Sequence, residues 1–210
     1  NGVRGGSATT HFPIWHKEIE DIIVLKNNKG SEDNRVRKLD YSIQLSELFY
    51  KRFLNSEDIS LFSPHDVPGL YDAYGTPEFD AMYEKYERAY SVPKKVVSAR
   101  ELFINILKER AETGRIYLMN IDHCNSHSSF LDRIYMSNLC QEITLPTKPI
   151  QHIDDDEGEI ALCILSAVNV GSLKNTDELE ELCELAVRSL DEIIDYQKYP
   201  VLAAEKSTRA

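Results

Sequence analysis

The segment Glu159-Ile-Ala-Leu-Cys-Ile-Leu-Ser-Ala-Val-Asn-Val170 constrains the architecture more than any other part of the chain. It is an almost unbroken apolar run, as expected of a parallel strand covered on both faces. Shorter strands are read at Ala8–Ile14, Ile59–Phe62 and Ile116–Ile121, with Gly2–Gly6 as a loop before the first. Between them lie helical patterns. Ile19, Ile22 and Ile23 share one face of a helix over Trp15 to Lys26, stopped by Asn27-Asn28-Lys29-Gly30. Tyr41, Leu45, Leu48, Phe49 and Arg52 predict a longer helix over Leu39 to Leu54. Thr76-Pro77 offers a cap and a first-turn proline to a helix with the stripe Phe79, Met82, Tyr83 and Tyr86. Ser98-Ala-Arg-Glu101 is a capping box, and its helix aligns Ala99, Leu102, Phe103, Ile106 and Leu107 before Gly114. Asn175 can cap a last helix with the stripe Leu179, Leu182, Cys183, Ala186, Val187, Leu190, Ile193 and Ile194. Strands separated by helices indicate α/β architecture. There is no internal repeat and no clear domain boundary; Ser91 to Lys95 is the most linker-like stretch.

With 210 residues the chain can bury a sizeable core, and 42% hydrophobic with 28% charged residues is an ordinary globular balance. No apolar run approaches the roughly 20 residues of a membrane span, and no signal peptide is expected from the sequence. A net charge of −11 argues against nonspecific binding to a nucleic-acid backbone. These features point to a soluble, cytoplasmic protein. Its four cysteines, Cys124, Cys140, Cys163 and Cys183, form no CxxC pair, so they are expected to be reduced and either buried or catalytic. The chain begins at Asn1 within a glycine-rich loop and ends just after a helix, as a piece of a longer protein would.

Asn138-Leu-Cys-Gln-Glu142, inside Met136-Ser-Asn-Leu-Cys-Gln-Glu-Ile-Thr-Leu-Pro146, carries the chemistry. In an extended segment, residues at i, i+2 and i+4 point the same way. Asn138, Cys140 and Glu142 would then share one face, with Leu139, Gln141 and Ile143 on the other. That face would join an amide, a one-electron-oxidisable thiol and a carboxylate base. A lone cysteine is more often a small buried hydrophobe, an arbitrary Glu a solvated loop carboxylate, and an Asn a turn residue. Their spacing and flanking sequence favour the chemical reading.

The stretch resembles the radical-cysteine loop of the class I ribonucleotide reductase large subunit of bacterial and phage type. The likeness runs from Gly2-Val-Arg-Gly-Gly6 to Asp195-Tyr-Gln197, nearly the whole chain. It implies a partial ten-stranded α/β barrel with an inserted radical-cysteine loop and many surrounding helices, residues 1–210 being a central fragment of the catalytic barrel. It implies reduction of ribonucleoside diphosphates to deoxyribonucleoside diphosphates by a thiyl-radical mechanism, supplying DNA replication. Cys140 would be the hydrogen-abstracting thiol, Glu142 the base for the 3′-hydroxyl, and Asn138 the residue that binds substrate and holds Glu142. Cys163, in Gly158-Glu-Ile-Ala-Leu-Cys163, would be one of two reducing cysteines, its partner lying before Asn1; by position alone it is an inert core thiol. Arg4, with Gly2, Gly5 and Gly6, would form the loop between an allosteric specificity site and the substrate base.

The resemblance also implies no cofactor bound by this chain. The radical would come from the metal cofactor of a small subunit, and ATP or dNTP effectors would bind the full subunit. Partners would be the diphosphate substrate, that small subunit, a second large subunit, and a thioredoxin- or glutaredoxin-type reductant, in the cytoplasm (a host's, if phage-encoded). Neither a membrane nor a nucleic-acid polymer is implied, and the fragment alone is expected to be inactive. His123, Cys124 and His127 lack a fourth ligand for zinc and read as support near the site. Cys183 reads as core, the aromatic residues from Tyr71 to Tyr90 as helix packing, and Asp154–Glu157 as a solvated turn. Two rival readings are a noncatalytic barrel fragment that assembles with complementary polypeptides, and a cysteine hydrolase built on Cys124 or Cys140 with a nearby His. The second lacks a nucleophile elbow.

Overall fold

Three parallel strands organise the first part of the chain in the computed structural model, which describes residues 5–209. Strands β1 (Thr9–Pro13), β2 (Asp40–Leu45) and β5 (Tyr117–Asn120) pair in the order β1-β2-β5, while β3 (Asp58–Leu61) and β4 (Lys95–Ser98) form a separate antiparallel pair. The chain divides into two compact units, Asn1–Thr144 and Leu145–Ala210. All five strands belong to the first, so the α/β expectation holds there; among the described residues the strands do not close into a barrel.

β2 is the centre of the sheet, with Ile43 beside Phe12 of β1 and Leu118 of β5. The helix predicted over Leu39 to Leu54 therefore starts only at Glu47, as α2 (Glu47–Asn55). Tyr41 and Leu45 are four residues apart, a spacing that fits a helix stripe and a strand face equally well. Pairing with a strand on each edge decides for the strand, since it satisfies the backbone groups in both directions. Ser46 ends the strand and caps α2, its hydroxyl accepting from Phe49 N–H at 3.3 Å.

The helix predicted over Trp15 to Lys26 shrinks to the single turn α1 (Ile19–Ile22) for the same reason. The strand ends at Pro13 and a turn follows, with His16 N–H donating to Pro13 O. Ile14 N–H donates to Gln44 O, Phe62 N–H to Trp15 O and Lys17 N–H to Phe62 O, so residues 14–17 are tied to neighbouring segments rather than to a helix. Ile19, Ile22 and Ile23 are nonetheless buried, as their spacing requires. The short helix α3 (Leu70–Ala73) follows Gly69, whose φ of 79° lies in the left-handed region that glycine tolerates. α4 (Phe79–Arg88) begins after Glu78 rather than at the predicted Thr76 cap, the Thr76 hydroxyl donating instead to Ala73 O at 2.8 Å. Its stripe is as read: Phe79 and Tyr83 are buried, and Met82 and Tyr86 pack on the core.

α5 (Ala99–Thr113) has the predicted boundaries, with Ser98 accepting from Glu101 N–H and Gly114 left-handed at the end. Ala99, Leu102 and Ile106 are buried, whereas Leu107 is exposed. The core they enter also holds Trp15, Phe49, Phe62, Tyr74, Phe79 and Tyr83, so the aromatic run is packing; Tyr90, at its end, is exposed. α6 (Ile121–Ser126) follows β5 directly.

The unit Leu145–Ala210 carries α7 (Glu178–Tyr196) and α8 (Leu202–Arg209), which pack together. Asp177, not the predicted Asn175, is the N-cap of α7; Asn175 Oδ1 accepts from Asp177 N–H and Glu178 N–H in the turn before it. The predicted stripe of α7 is not core: no α7 residue is buried, and Leu182, Val187, Ile193 and Cys183 are exposed. Residues 160–169 are not a strand either. They have no regular structure, and Leu165 and Cys163 are exposed. Apolar composition favours burial, but a strand forms only where neighbours pair with it, and no described strand pairs here. Asp155 is buried, not solvated. Its carboxylate accepts from Gln151 N–H and Glu157 N–H, which hold it below the usual range. No described helix is long and apolar enough to cross a membrane.

Candidate active site

Two anchors fix the start of the segment that carries Cys140. Asn125, on α6, donates through Nδ2 to Ile134 O at 3.0 Å and accepts from Ile134 N–H at 2.9 Å. This pairs one side chain with both backbone groups of a buried residue. Arg133 donates to the carbonyls of Tyr71, Asp72 and Tyr74, which satisfies the end of α3, and its guanidinium lies 4.2 Å from the centroid of the Tyr135 ring. Gln44 of β2, fully buried, then donates to Tyr135 O at 2.5 Å.

The next residues form a tight turn. Gln141 N–H donates to Asn138 O at 3.2 Å, and Asn138 N–H to Ile143 O at 3.2 Å. The Asn138 side chain closes the turn from inside, its Oδ1 accepting from Ile143 N–H at 3.0 Å. The Ser137 hydroxyl donates to Ile143 O at 2.6 Å. Gln141 has a φ of 64°, in the left-handed region. The extended segment with a shared Asn138/Cys140/Glu142 face is therefore corrected. A left-handed residue between Cys140 and Glu142 breaks the two-residue alternation, and the three groups are brought together by a turn.

The Gln141 side chain points into the structure. Its Oε1 accepts from Ser42 of β2 at 2.6 Å and its Nε2 donates to Leu118 O of β5 at 2.7 Å. On β1, the Thr9 hydroxyl donates to Leu139 O at 2.7 Å. The turn thus touches all three strands of the parallel sheet. Alternation in β2 explains where it sits: Tyr41, Ile43 and Leu45 enter the apolar core, while Ser42 and Gln44 point oppositely and are buried beneath residues 135–141. His11, paired with Ser42, lies on that polar face near the Ser137 backbone; burial lowers its imidazole pKa, against that backbone contact.

Cys140 and Glu142 are exposed, and neither side chain is hydrogen-bonded among the described residues. Fixed backbone with outward functional groups is an arrangement suited to meeting a bound molecule. Cys163, in the other unit, is also exposed, and all four cysteines are thiols. Gly5 and Gly6 lie in an exposed loop before β1; Gly2 and Arg4 lie outside the described residues. His123 and His127 rings pack edge-on at 5.6 Å, and Cys124 packs against the core, where burial raises its thiol pKa. A raised pKa opposes the thiolate that a hydrolase nucleophile needs. No described group of three His, Cys, Asp or Glu residues could hold a metal ion.

The whole chain, residues 1–210, matches the family described as the ribonucleotide reductase barrel domain. The chain belongs to that family. It is 56% identical over 214 residues to the ribonucleoside-diphosphate reductase subunit alpha of Haemophilus influenzae, covering 100% of this chain. The ribonucleoside-diphosphate reductase 1 subunit alpha of Escherichia coli K12 is 56% identical over 98% of the chain, and the enterobacteria phage T4 subunit alpha 44% identical over 99%. The chain spans 28% of the length of each of these relatives. Within this barrel-domain member, sequence reasoning missed Gln141, Ser42, Gln44, Thr9 and Asn125. A signal was present: two polar residues alternate with three apolar ones in Tyr41-Ser-Ile-Gln-Leu45, the mark of a strand with something polar laid over one face.

Proposed function

We propose that this chain is part of the catalytic barrel of a ribonucleoside-diphosphate reductase large subunit, a ten-stranded α/β barrel in which the Cys140 turn is the inserted loop. The observation that carries the reading is the turn itself, which presents Cys140 and Glu142 outward from the polar face of a parallel sheet. In this reading Cys140, as a thiyl radical, takes the hydrogen atom from the 3′ carbon of a ribonucleoside diphosphate and becomes a thiol. Glu142 takes the proton of the 3′-hydroxyl, and Asn138 keeps the turn closed beside the substrate. The 2′-hydroxyl leaves as water. Cys163 and a second thiol supply two electrons and two protons and join as a disulfide. Cys140 then returns the hydrogen atom to the 3′ carbon and is again a thiyl radical, while Glu142 returns its proton to the 3′ oxygen.

The initiating radical is supplied by the metal cofactor of a small subunit. Arg4, Gly2, Gly5 and Gly6 form the loop through which ATP or dNTP effectors bias the choice of base. Two large subunits pair, a thioredoxin- or glutaredoxin-type reductant reopens the disulfide, and the product serves DNA replication in the cytoplasm. Residues 1–210 alone hold neither the second reducing thiol nor the route for the radical, and do not turn over. A second reading is favoured by the uncovered stripe of α7 and the exposed segment 160–169: the chain acts only by assembling with complementary polypeptides that cover them.

The test is Cys140→Ser in the complete large subunit, assayed with its small subunit, a diphosphate substrate and dithiothreitol. An O–H bond is too strong for the radical to form, so reduction should vanish while nucleotide binding stays unchanged. Measurable turnover by the Ser variant would sink the assignment.

A further inference from the structure

Gln141 is out of place by every local criterion. It is an unbranched residue with a φ of 64°, a conformation that usually falls to Gly or Asn. Glycine there would relieve the backbone, but it would remove the side chain that reaches the sheet. That side chain is shaped for two different tasks at once, since an amide both accepts and donates. The acceptor takes the Ser42 hydroxyl at 2.6 Å on the central strand, and the donor meets the Leu118 carbonyl at 2.7 Å on the neighbouring one. Ser42 pairs with Tyr117 and Ile43 with Leu118, so the amide spans adjacent strands one residue apart in register.

The consequence falls on the preceding residue. Gln141 N–H and Asn138 O close the turn that contains Cys140, and the Gln141 side chain fastens this turn to the sheet. Among the described residues the Cys140 side chain has no hydrogen bond of its own to fix it. We propose that Gln141 is the positioning residue of the Cys140 turn, its amide bridging Ser42 and Leu118 so that the thiol is held at one place above the polar face of the sheet. The inference rests on the reading of Cys140 as the reacting thiol. Gln141 touches no reacting atom; it acts through the backbone of its neighbour.

The experiment uses the complete large subunit with Gln141→Leu, Gln141→Glu and Ser42→Ala. Leu keeps the side chain's bulk and loses both bonds. A misplacement of about an ångström at a reacting group costs on the order of 10²-fold in rate. Gln141→Leu should therefore lower kcat by about that factor, with KM for the diphosphate within about threefold. Ser42→Ala should lower kcat by about tenfold, having lost one of the two bonds. Hydrogen exchange supplies a readout independent of catalysis: in Gln141→Leu the amides of Asn138, Gln141 and Ile143 should exchange faster, while β2 and β5 keep their protection.

Gln141→Glu sharpens the test. An ionised Glu accepts from Ser42 but meets the Leu118 carbonyl without a proton; a protonated one can donate to it. Protection of the turn, relative to wild type at the same pH, should be low near neutrality and recover as pH falls toward the carboxyl range of about 4 to 5. A role in general stability would show no such recovery. Wild-type kcat and wild-type turn exchange in Gln141→Leu would overturn the proposal. So would faster exchange throughout the sheet in both Gln141→Leu and Ser42→Ala, which would make the bond one of many holding the fold. If Cys140→Ser remains active while the exchange results stand, the reading of Cys140 fails and the anchoring of the turn does not.

Discussion

Tyr83→Phe removes a single oxygen, and the structure sets its cost. Tyr83 is 1% exposed, packed between Phe62 at 5.5 Å and Phe79 at 5.6 Å between ring centroids. Its hydroxyl donates to Ser60 O and accepts from Ser60 N–H, both at 2.7 Å. Ser60 is 2% exposed on β3, so these two backbone groups have no water to fall back on. Each buried group left without a partner costs about 1–3 kcal/mol. Part of that is offset because a phenyl ring loses no hydration on burial, and the net destabilisation should be about 2–4 kcal/mol. Tyr86→Phe is the matched control: its hydroxyl donates to Pro68 O at 2.7 Å at the surface, and its loss should cost under about 1 kcal/mol. Urea unfolding followed by far-UV circular dichroism measures both. At about 2–4 °C per kcal/mol, the melting temperature should fall by about 5–15 °C for Tyr83→Phe. If the two variants unfold at the same urea concentration, the hydroxyl is not replacing a strand partner for Ser60 and the reasoning fails.

Cys163→Ser in the complete subunit should abolish deoxynucleotide formation yet leave the first hydrogen abstraction, visible as radical loss or base release without product; normal multiple turnover would show that the thiol supplies no electrons. Glu87 offers a pH test. Burial pushes its carboxyl up, but the hydrogen bonds from Arg52 at 2.6 and 2.7 Å outweigh burial and hold it below the usual range. A depressed folded pKa contributes stability above the unfolded value of about 4.3 and loses it as pH falls through the folded one. Wild type should therefore exceed Glu87→Gln in urea midpoint at neutral pH, and the gap should close on acidification to about pH 3. A gap that is unchanged across that range would refute the pairing.

The sequence by itself determined those elements whose signals are local. The Ser98 cap, the left-handed Gly114 and the α4 stripe stand where their residues place them, because a cap or stripe is satisfied within a few residues. Asn138, Cys140 and Glu142 lie in one turn, not on one face of an extended segment as their spacing predicts. What only the tertiary structure decided was set by partners distant in the chain. Residues 41–45 fit a helix or a strand by periodicity, and β1 and β5 on either side made them a strand. The same rule worked in reverse along α7, where none of the apolar residues expected in a core is buried, and Cys163, expected in a buried strand, is exposed. Gln141 shows the limit most directly. Its sequence neighbours made it the back of an extended face, whereas Ser42 and Leu118, 99 and 23 residues away, made it the anchor of the turn, because a hydrogen bond depends on proximity in space that local spacing does not encode.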